Sequence, residues 1–264
     1  LYIHSFPTRR SSDLAYTETL SRPNYNLITP RWDIGSQIIQ WNNYGLQPEH
    51  SRNWDAYFSF FSGKLGLFTI GGFTKDITNK IFVMDRRVVL DPSVYDIPNT
   101  TKDKFIFTQM NNPNVSNVKG MELDWQTAFW YLPGALKGLI FNMNYSWIFS
   151  EAEYPYTVVE STWDPDNFEY SYKNLDSYYV APLVFQPKHI LNLSFGYDYE
   201  NFSARISMLY KDKVFQGPNF WPELVNYSDA YVRWDMSIKQ GLPWYGMQVF
   251  CNLNNITNTK DVIR

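Results

Sequence analysis

Glu122 and Asp124 stand two residues apart in an alternating stretch, so a strand would place both carboxylates on the same face. Carboxylates at that spacing can exchange protons with a substrate. The sequence shows no nucleophile with an adjacent base, and its three histidines are too scattered for a zinc site. We therefore predict that the pair lines a lumen, facing Arg205 or Lys188 across the sheet. We expect no catalytic residue, metal ion or cofactor.

Residues 151–182 form the second candidate site, and the sequence predicts an external loop there. The segment is rich in carboxylates and aromatic rings and has a single lysine, Lys173. Aromatic faces beside carboxylates can stack on sugars or attract cations. The alternative is a solvated loop whose rings pack on neighbouring loops. The ligand-contact candidates are Trp163, Asp164, Asp166, Tyr170, Tyr172 and Tyr178.

The elements that must position these residues are strands with two-residue alternation. Between residues 191 and 210, apolar side chains such as Leu191, Leu193 and Phe195 alternate with polar ones, and the pattern resumes with Ile206 and Met208 after a turn. A soluble sandwich and a membrane barrel share this alternation. On the polar face we place the lumen candidates Glu122, Asp124, Arg205, Arg233 and Asp235.

Turn lengths favour the barrel. Short turns near residues 62, 133, 199 and 242 alternate with long connections at 24–49, 81–103, 151–182 and 216–228. Outer-membrane barrels have short turns at one end and long loops at the other. The strands also exceed the about five or six residues usual in soluble sheets. We predict an all-β fold, an incomplete antiparallel transmembrane barrel of about eight or nine strands, with a face-switching bulge at Gly71 and Gly72.

Composition argues against a helical membrane protein and against a nucleic-acid-binding protein. Aromatic residues make up 19% of the 264 residues, yet no run approaches the roughly 18 apolar residues of a membrane helix. The net charge of −3 gives no basic footprint for nucleic acid. The single cysteine, Cys251, excludes an internal disulfide.

The N-terminal residues have a predicted origin different from that of the rest of the chain. Residues 4–14 resemble the conceptual translation of a sequencing adapter, so we predict that residues 1–14 are a non-native tail and that residues 15–264 form the barrel part. On this interpretation the chain is a fragment whose true N-terminal part is missing.

Three stretches resemble TonB-dependent outer-membrane receptors. Residues 43–55 are similar to the family's N-x-x-L-x-P-E-x-S start of a strand, residues 114–123 end in K-G-x-E-L, and residues 252–258 resemble N-L-x-N-x-x-[ND]. Their order and spacing together make the resemblance fairly specific.

This resemblance implies a 22-stranded barrel around an N-terminal plug that contacts the TonB complex, with the plug and the closing strand absent from this sequence. It also implies a place in the Gram-negative outer membrane, contact with its lipid, and active import of a ferric siderophore, cobalamin or glycan. The receptor's expected partner is a small-molecule or oligosaccharide ligand. A passive porin without a plug and a soluble carbohydrate-binding module whose aromatic side chains stack on sugars stay open as alternatives.

Overall fold

The computed structural model describes residues 9–219 and 221–262. No helix in those ranges is long and apolar enough to cross a membrane. The strands are β1 Arg9–Ser21, β2 Trp32–Ile34, β3 Ile38–Trp41, β4 Glu49–Ser62, β5 Gly66–Thr78, β6 Ile81–Val88, β7 Phe105–Asn111, β8 Ser116–Ala128, β9 Leu139–Asp164, β10 Glu169–Ala181, β11 His189–Tyr199, β12 Phe202–Lys211, β13 Val214–Gly217, β14 Asn226–Ser228, β15 Tyr231–Gly241 and β16 Gln248–Leu253. The helical segments are α1 Tyr25–Ile28 and the 3₁₀ turns Pro92–Tyr95, Asn99–Thr101, Gly134–Gly138 and Pro222–Leu224.

Ten strands form one sheet, which we call the wall. Its order is β1-β4-β5-β8-β9-β11-β12-β15-β16, and β10 pairs with the outer part of β9. Every ladder of the wall is antiparallel. The sheet is not closed, so the prediction of an incomplete antiparallel barrel wall is confirmed.

The wall has two chemically distinct faces. Phe195 lies opposite Ile206 on the apolar face, and Ser194 lies opposite Ser207 on the polar face. Phe195 is 51% exposed and Ile206 is 38% exposed, so no layer formed by described residues covers the apolar face at these positions. Two packed sheets would bury these side chains in a shared dry core. In the part of the chain that the structure describes, the wall is therefore not one half of a packed sandwich.

Connections at the two ends of the wall differ in length, as predicted. The short ones span residues 63–65, 129–138, 200–201 and 242–247, and the long ones span 22–48, 79–115, 165–188 and 212–230. The long-connection end carries a second sheet, which we call the outer sheet, with the order β2-β3-β7-β6. One cluster of buried apolar side chains lies in the outer sheet and its loops, around Ile39 and Ile106. Another lies at the outer ends of β8 and β9, around Tyr154 and Phe215.

The predicted loop at residues 151–182 is wrong. Strand β9 continues for 26 residues, and Ala152 to Asp164 pair with Ala181 to Glu169 of β10. The segment is thus a β-hairpin, which we call the arm, with its turn at residues 165–168. Pairing between β9 and β10 satisfies the backbone groups that a thirty-residue loop would leave to water.

The predicted bulge at Gly71 and Gly72 is also wrong. The ladders of β5 with β4 and with β8 run through both glycines without a register shift. Phe68 and Ile70 therefore lie on the apolar face and Phe73 lies on the polar face.

Strand β1 begins at Arg9. Residues 9–14, which are the described part of the predicted adapter segment, therefore pair with β4 as the rest of β1 does. The non-native origin of residues 1–14 stays a prediction, and residues 1–8 lie outside the described range.

Candidate functional site: the polar face and the external cleft

Tyr57, Gly71 and Glu122 form a row across three strands of the polar face. The Tyr57 hydroxyl donates to Glu122 Oε2 at 2.7 Å, and its ring passes over Gly71. A Cβ at position 71 would lie 2.1 Å from that ring, so glycine is what lets the phenol reach the carboxylate. Gly120 makes similar room for the Phe73 ring, 2.7 Å from where its Cβ would lie. In the K-G-x-E-L stretch, the glycine thus makes room for a side chain of β5, and the glutamate accepts a hydrogen bond from a side chain of β4.

The remaining lumen candidates pair locally. The two terminal guanidinium nitrogens of Arg205 donate to the Asp198 carboxylate, at 2.8 and 2.5 Å. Arg233 Nε donates to Asp235 Oδ2 at 2.9 Å. Asp235 Oδ1 also accepts from the backbone N–H of Asn255 at 2.8 Å, which anchors the N-L-x-N stretch to β15.

The predicted pairing of Glu122 and Asp124 with Arg205 or Lys188 does not occur. Asp124 Oδ1 instead accepts from the Gln126 side chain at 2.9 Å. The reason is topological, because β9 and β11 lie between β8 and β12.

Most of the predicted ligand contacts lie at the tip of the arm. Trp163 faces Tyr170 across the hairpin with ring centroids 4.9 Å apart, and Tyr172 stacks on Tyr170. Tyr178 lies eight residues from Tyr170, roughly 26 Å along the strand. One small ligand cannot touch both, so the structure divides the predicted set into a tip group and Tyr178.

Asp164 stabilises the turn at the tip of the arm. Its carboxylate accepts from the Asn167 side chain at 2.8 Å and from the Asp166 backbone N–H at 2.9 Å. These bonds, the Asn167 one foremost, lower the pKa of Asp164.

The lowered pKa of Asp164 predicts a pH dependence for this turn. A carboxyl group with a depressed folded pKa contributes its full stability above the ordinary value of about 3.9 and loses it as pH falls through the depressed one. We expect the Asp166 and Asn167 amides to keep their protection from hydrogen exchange until the pH drops below about 4. Asp164→Ala should expose them at every pH, and unchanged protection in that variant would contradict the assignment.

A cavity of about 970 Å³, which we call the cleft, lies between the outer sheet and the base of the arm. Phe82 and Met110 line it from the outer sheet, and Tyr156 and Tyr178 line it from the arm. Tyr178 belongs to the predicted ligand contacts, whereas nothing in the sequence indicates that the outer sheet forms the other side of the cleft. Within the described ranges, no group of three His, Cys, Asp or Glu side chains could hold a metal ion.

The arm is fastened to the outer sheet beside the cleft. Asn174 Nδ2 donates to the Val88 carbonyl at 2.8 Å, and Asn174 Oδ1 accepts from the Val88 N–H at 3.1 Å. The side-chain amide thus hydrogen-bonds to the edge of β6 as another strand would. Arg87 and Asp176 add an ion pair at 3.2 Å.

Asn174→Leu should loosen this junction. Two neutral hydrogen bonds would be lost, worth about 1–2 kcal/mol together. We expect faster hydrogen exchange at the Val88 amide and little change within the wall. Lys173→Leu, an exposed neighbour on the other face of the hairpin, is the matched control and should leave Val88 protected. Equal protection of Val88 in both variants would refute the junction.

The family model described as TonB dependent receptor-like, beta-barrel matches residues 14–256. The chain belongs to this family. No curated protein sequence matches it. Among solved structures, the hemophore receptor HasR of Serratia marcescens aligns with TM-score 0.61 and 15% identity over 96% of this chain and 35% of HasR. The ferric enterobactin receptor PfeA of Pseudomonas aeruginosa gives 0.60 and 13% over 96% of this chain and 34% of that receptor.

The siderophore receptor PirA of Acinetobacter baumannii gives TM-score 0.51 and 14% identity, over 97% of this chain and 35% of PirA. At such identities these likenesses show the fold alone. The chain spans about a third of the length of these TonB-dependent receptors.

Stretches that resembled the family have structural roles that sequence reasoning missed. In the N-x-x-L-x-P-E stretch, the Asn43 side chain donates to the Gln109 carbonyl at 3.0 Å and Leu46 is buried. Glu49 Oε1 accepts from the Ile81 N–H at 2.8 Å. The stretch therefore joins the outer sheet to the wall, a role visible only once β6 and β7 are placed in a separate sheet.

Proposed function

We propose that this chain forms wall and external vestibule of an outer-membrane receptor that imports a scarce nutrient. The observation that carries the proposal is the wall itself, with one uncovered apolar face for lipid and one polar face bearing Tyr57–Glu122 and Arg205–Asp198. Family membership supports the import role. On this proposal the long-connection end is extracellular and the cleft is where ligand arrives.

The proposal includes partners outside the described chain. A plug domain would occupy the polar side, and the TonB complex would supply energy through it, as the family resemblance implies. Candidate ligands are a ferric siderophore, cobalamin or a glycan. The solved relatives, by their names, are a ferric enterobactin receptor, a siderophore receptor, and a hemophore receptor in complex with its hemophore and heme.

Energy-dependent uptake tests the proposal. Cells with and without the full-length receptor gene are given labelled ferric enterobactin, heme, cobalamin or an uncharged oligosaccharide mixture. We expect receptor-dependent accumulation of one probe above its external concentration, abolished by a protonophore. Receptor-dependent entry that persists with the protonophore and only equilibrates would favour the passive porin. No receptor-dependent entry of any probe would refute import.

A further inference from the structure

A concave surface of about 330 Å³, which we call the hollow, lies on the apolar face of the wall. Met121 of β8 and Trp147 and Phe149 of β9 line it, and all three side chains are exposed. They belong to the apolar face because Trp147 and Phe149 follow Phe141 at two-residue steps, and Phe141 pairs with Phe195. On the proposed function this face contacts lipid, so an acyl chain is the group that can reach the hollow.

A row of polar side chains marks where this face leaves the hydrocarbon. The row crosses five strands in register and consists of Glu18, Arg52, Asp76, Asn117 and Glu151. Charged side chains are costly at the bilayer midplane and tolerated near the interface. The hollow begins two residues inward of this row on both β8 and β9. It therefore lies at the depth of the lipid headgroups and the first methylene groups of their chains.

Lys119 supplies a cation at the outer rim of the hollow. It lies opposite Phe149, and its ammonium nitrogen is 5.2 Å from the centroid of that ring. Among the described residues, no carboxylate comes within ion-pair distance of this ammonium group. Lysine is a common ligand of phosphate groups. A lipid phosphate can therefore bind Lys119 without separating an existing ion pair.

Carboxylates lie farther out on the same face. Asp76 and Glu151 are exposed and stand one step, about 7 Å, outward of the row that contains Lys119. Neither forms an ion pair with a residue that the structure describes, whereas Arg52 is paired with Glu18 at 3.6 Å. In a phospholipid the phosphate is joined to the glycerol, and an amine lies farther from the chains. The order of charges on this face is therefore complementary to a zwitterionic headgroup and repels one that is anionic throughout.

We infer that the hollow binds a phospholipid whose headgroup carries a primary amine. The acyl chain lies against Met121 and Trp147, the phosphate lies on Lys119, and the ammonium group lies near Asp76 and Glu151. A primary ammonium group donates hydrogen bonds to carboxylates, which a quaternary one cannot do. This inference goes beyond nutrient import and rests only on that part of the proposed function which places the apolar face in lipid.

Lipid retention by the purified full-length receptor tests the inference, with native mass spectrometry as the readout. The probes are lipid A and three phospholipids with identical acyl chains, phosphatidylethanolamine, phosphatidylcholine and phosphatidylglycerol. We expect phosphatidylethanolamine to be retained most strongly. Lys119→Gln should lower its affinity about tenfold, because a hydrogen bond between two charged groups is lost. Lys75→Gln is the matched control and should bind normally, since Lys75 lies at a similar depth on the polar face, opposite Val118.

A double variant, Asp76→Asn with Glu151→Gln, tests recognition of the amine separately. Because it removes the outer carboxylates and keeps Lys119, it should retain phosphatidylethanolamine and phosphatidylglycerol equally. All the substituted side chains of the site are exposed, and thermal unfolding should show that each variant folds.

Four results would overturn the inference: equal retention of all four lipids, strongest retention of a lipid other than phosphatidylethanolamine, wild-type retention in Lys119→Gln, or an undiminished preference for phosphatidylethanolamine in the double variant. Each of them would leave import standing, because uptake is measured independently of the retained lipid. Selective retention of phosphatidylethanolamine without energy-dependent uptake of any nutrient would refute import and leave the lipid site intact.

Discussion

Phe195→Arg and Met208→Arg are each expected to destabilise the full-length receptor by about 2–4 kcal/mol if they lie near the bilayer midplane. Both positions lie on the apolar face, since Phe195 pairs with Ile206 and Met208 pairs with Leu193. A guanidinium there would replace an apolar side chain in contact with lipid. Reversible denaturant unfolding in lipid vesicles measures the change, with the denaturant slope checked for constancy.

Ser194→Arg and Ser207→Arg are the matched controls, each next to a test position along the chain. Their side chains point to the polar face, where Ser207 lies opposite Asp235. We expect changes within about 0.5 kcal/mol, as for surface substitutions elsewhere. Equal losses at all four positions would mean that both faces are dry, and the barrel wall would then be rejected.

Gly71→Ala is expected to cost roughly 2–4 kcal/mol, because overpacking and a lost hydrogen bond to a carboxylate act together. The new methyl group would meet the Tyr57 ring and move its hydroxyl away from Glu122. Tyr57→Phe should destabilise the receptor less than Gly71→Ala, since it removes the hydrogen bond but causes no overpacking.

Gly72→Ala is the matched control for Gly71. A Cβ at position 72 meets only the Gly120 carbonyl oxygen, at 3.6 Å, an ordinary contact. Replacing a glycine whose backbone tolerates alanine stabilises a protein by about 0.4–1 kcal/mol. We therefore expect opposite signs for adjacent glycines. A Gly71→Ala variant as stable as wild type would show that the ring does not lie over that position.

Local pattern determined the faces of the wall and the alternation of its turns. Whether Phe195 and Ser194 face opposite sides depends only on the two-residue period, which is visible in the sequence. The sequence suggests a bulge at Gly71 and Gly72, but the need for glycine at position 71 comes from a side chain on another strand. Nothing near Gly71 in sequence indicates that Tyr57 will lie across it.

The candidate site was predictable only in part. The aromatic tip of the arm followed from composition, but its hairpin did not, because Pro155 and mixed polar residues interrupt the alternation along β9. The cleft depends on segments far apart in sequence, and the outer sheet includes a parallel pairing of β3 with β7. Such pairings are set by tertiary packing, so the cleft could not be located from the sequence.

Water and lipid access to adjacent positions of β11 and β12 tests the two-faced wall most directly. In the full-length receptor in intact membranes, with Cys251 replaced by alanine, single cysteines are placed at 194, 195, 207 and 208. We predict that cysteines at 194 and 207 react with small water-soluble thiol reagents, at reduced rates where a plug shields them. Cysteines at 195 and 208 should resist those reagents and, once fluorophore-labelled and reconstituted, be quenched by lipid-embedded probes. Protection of 195 and 208 from both water and lipid would reveal a dry protein core and contradict the account.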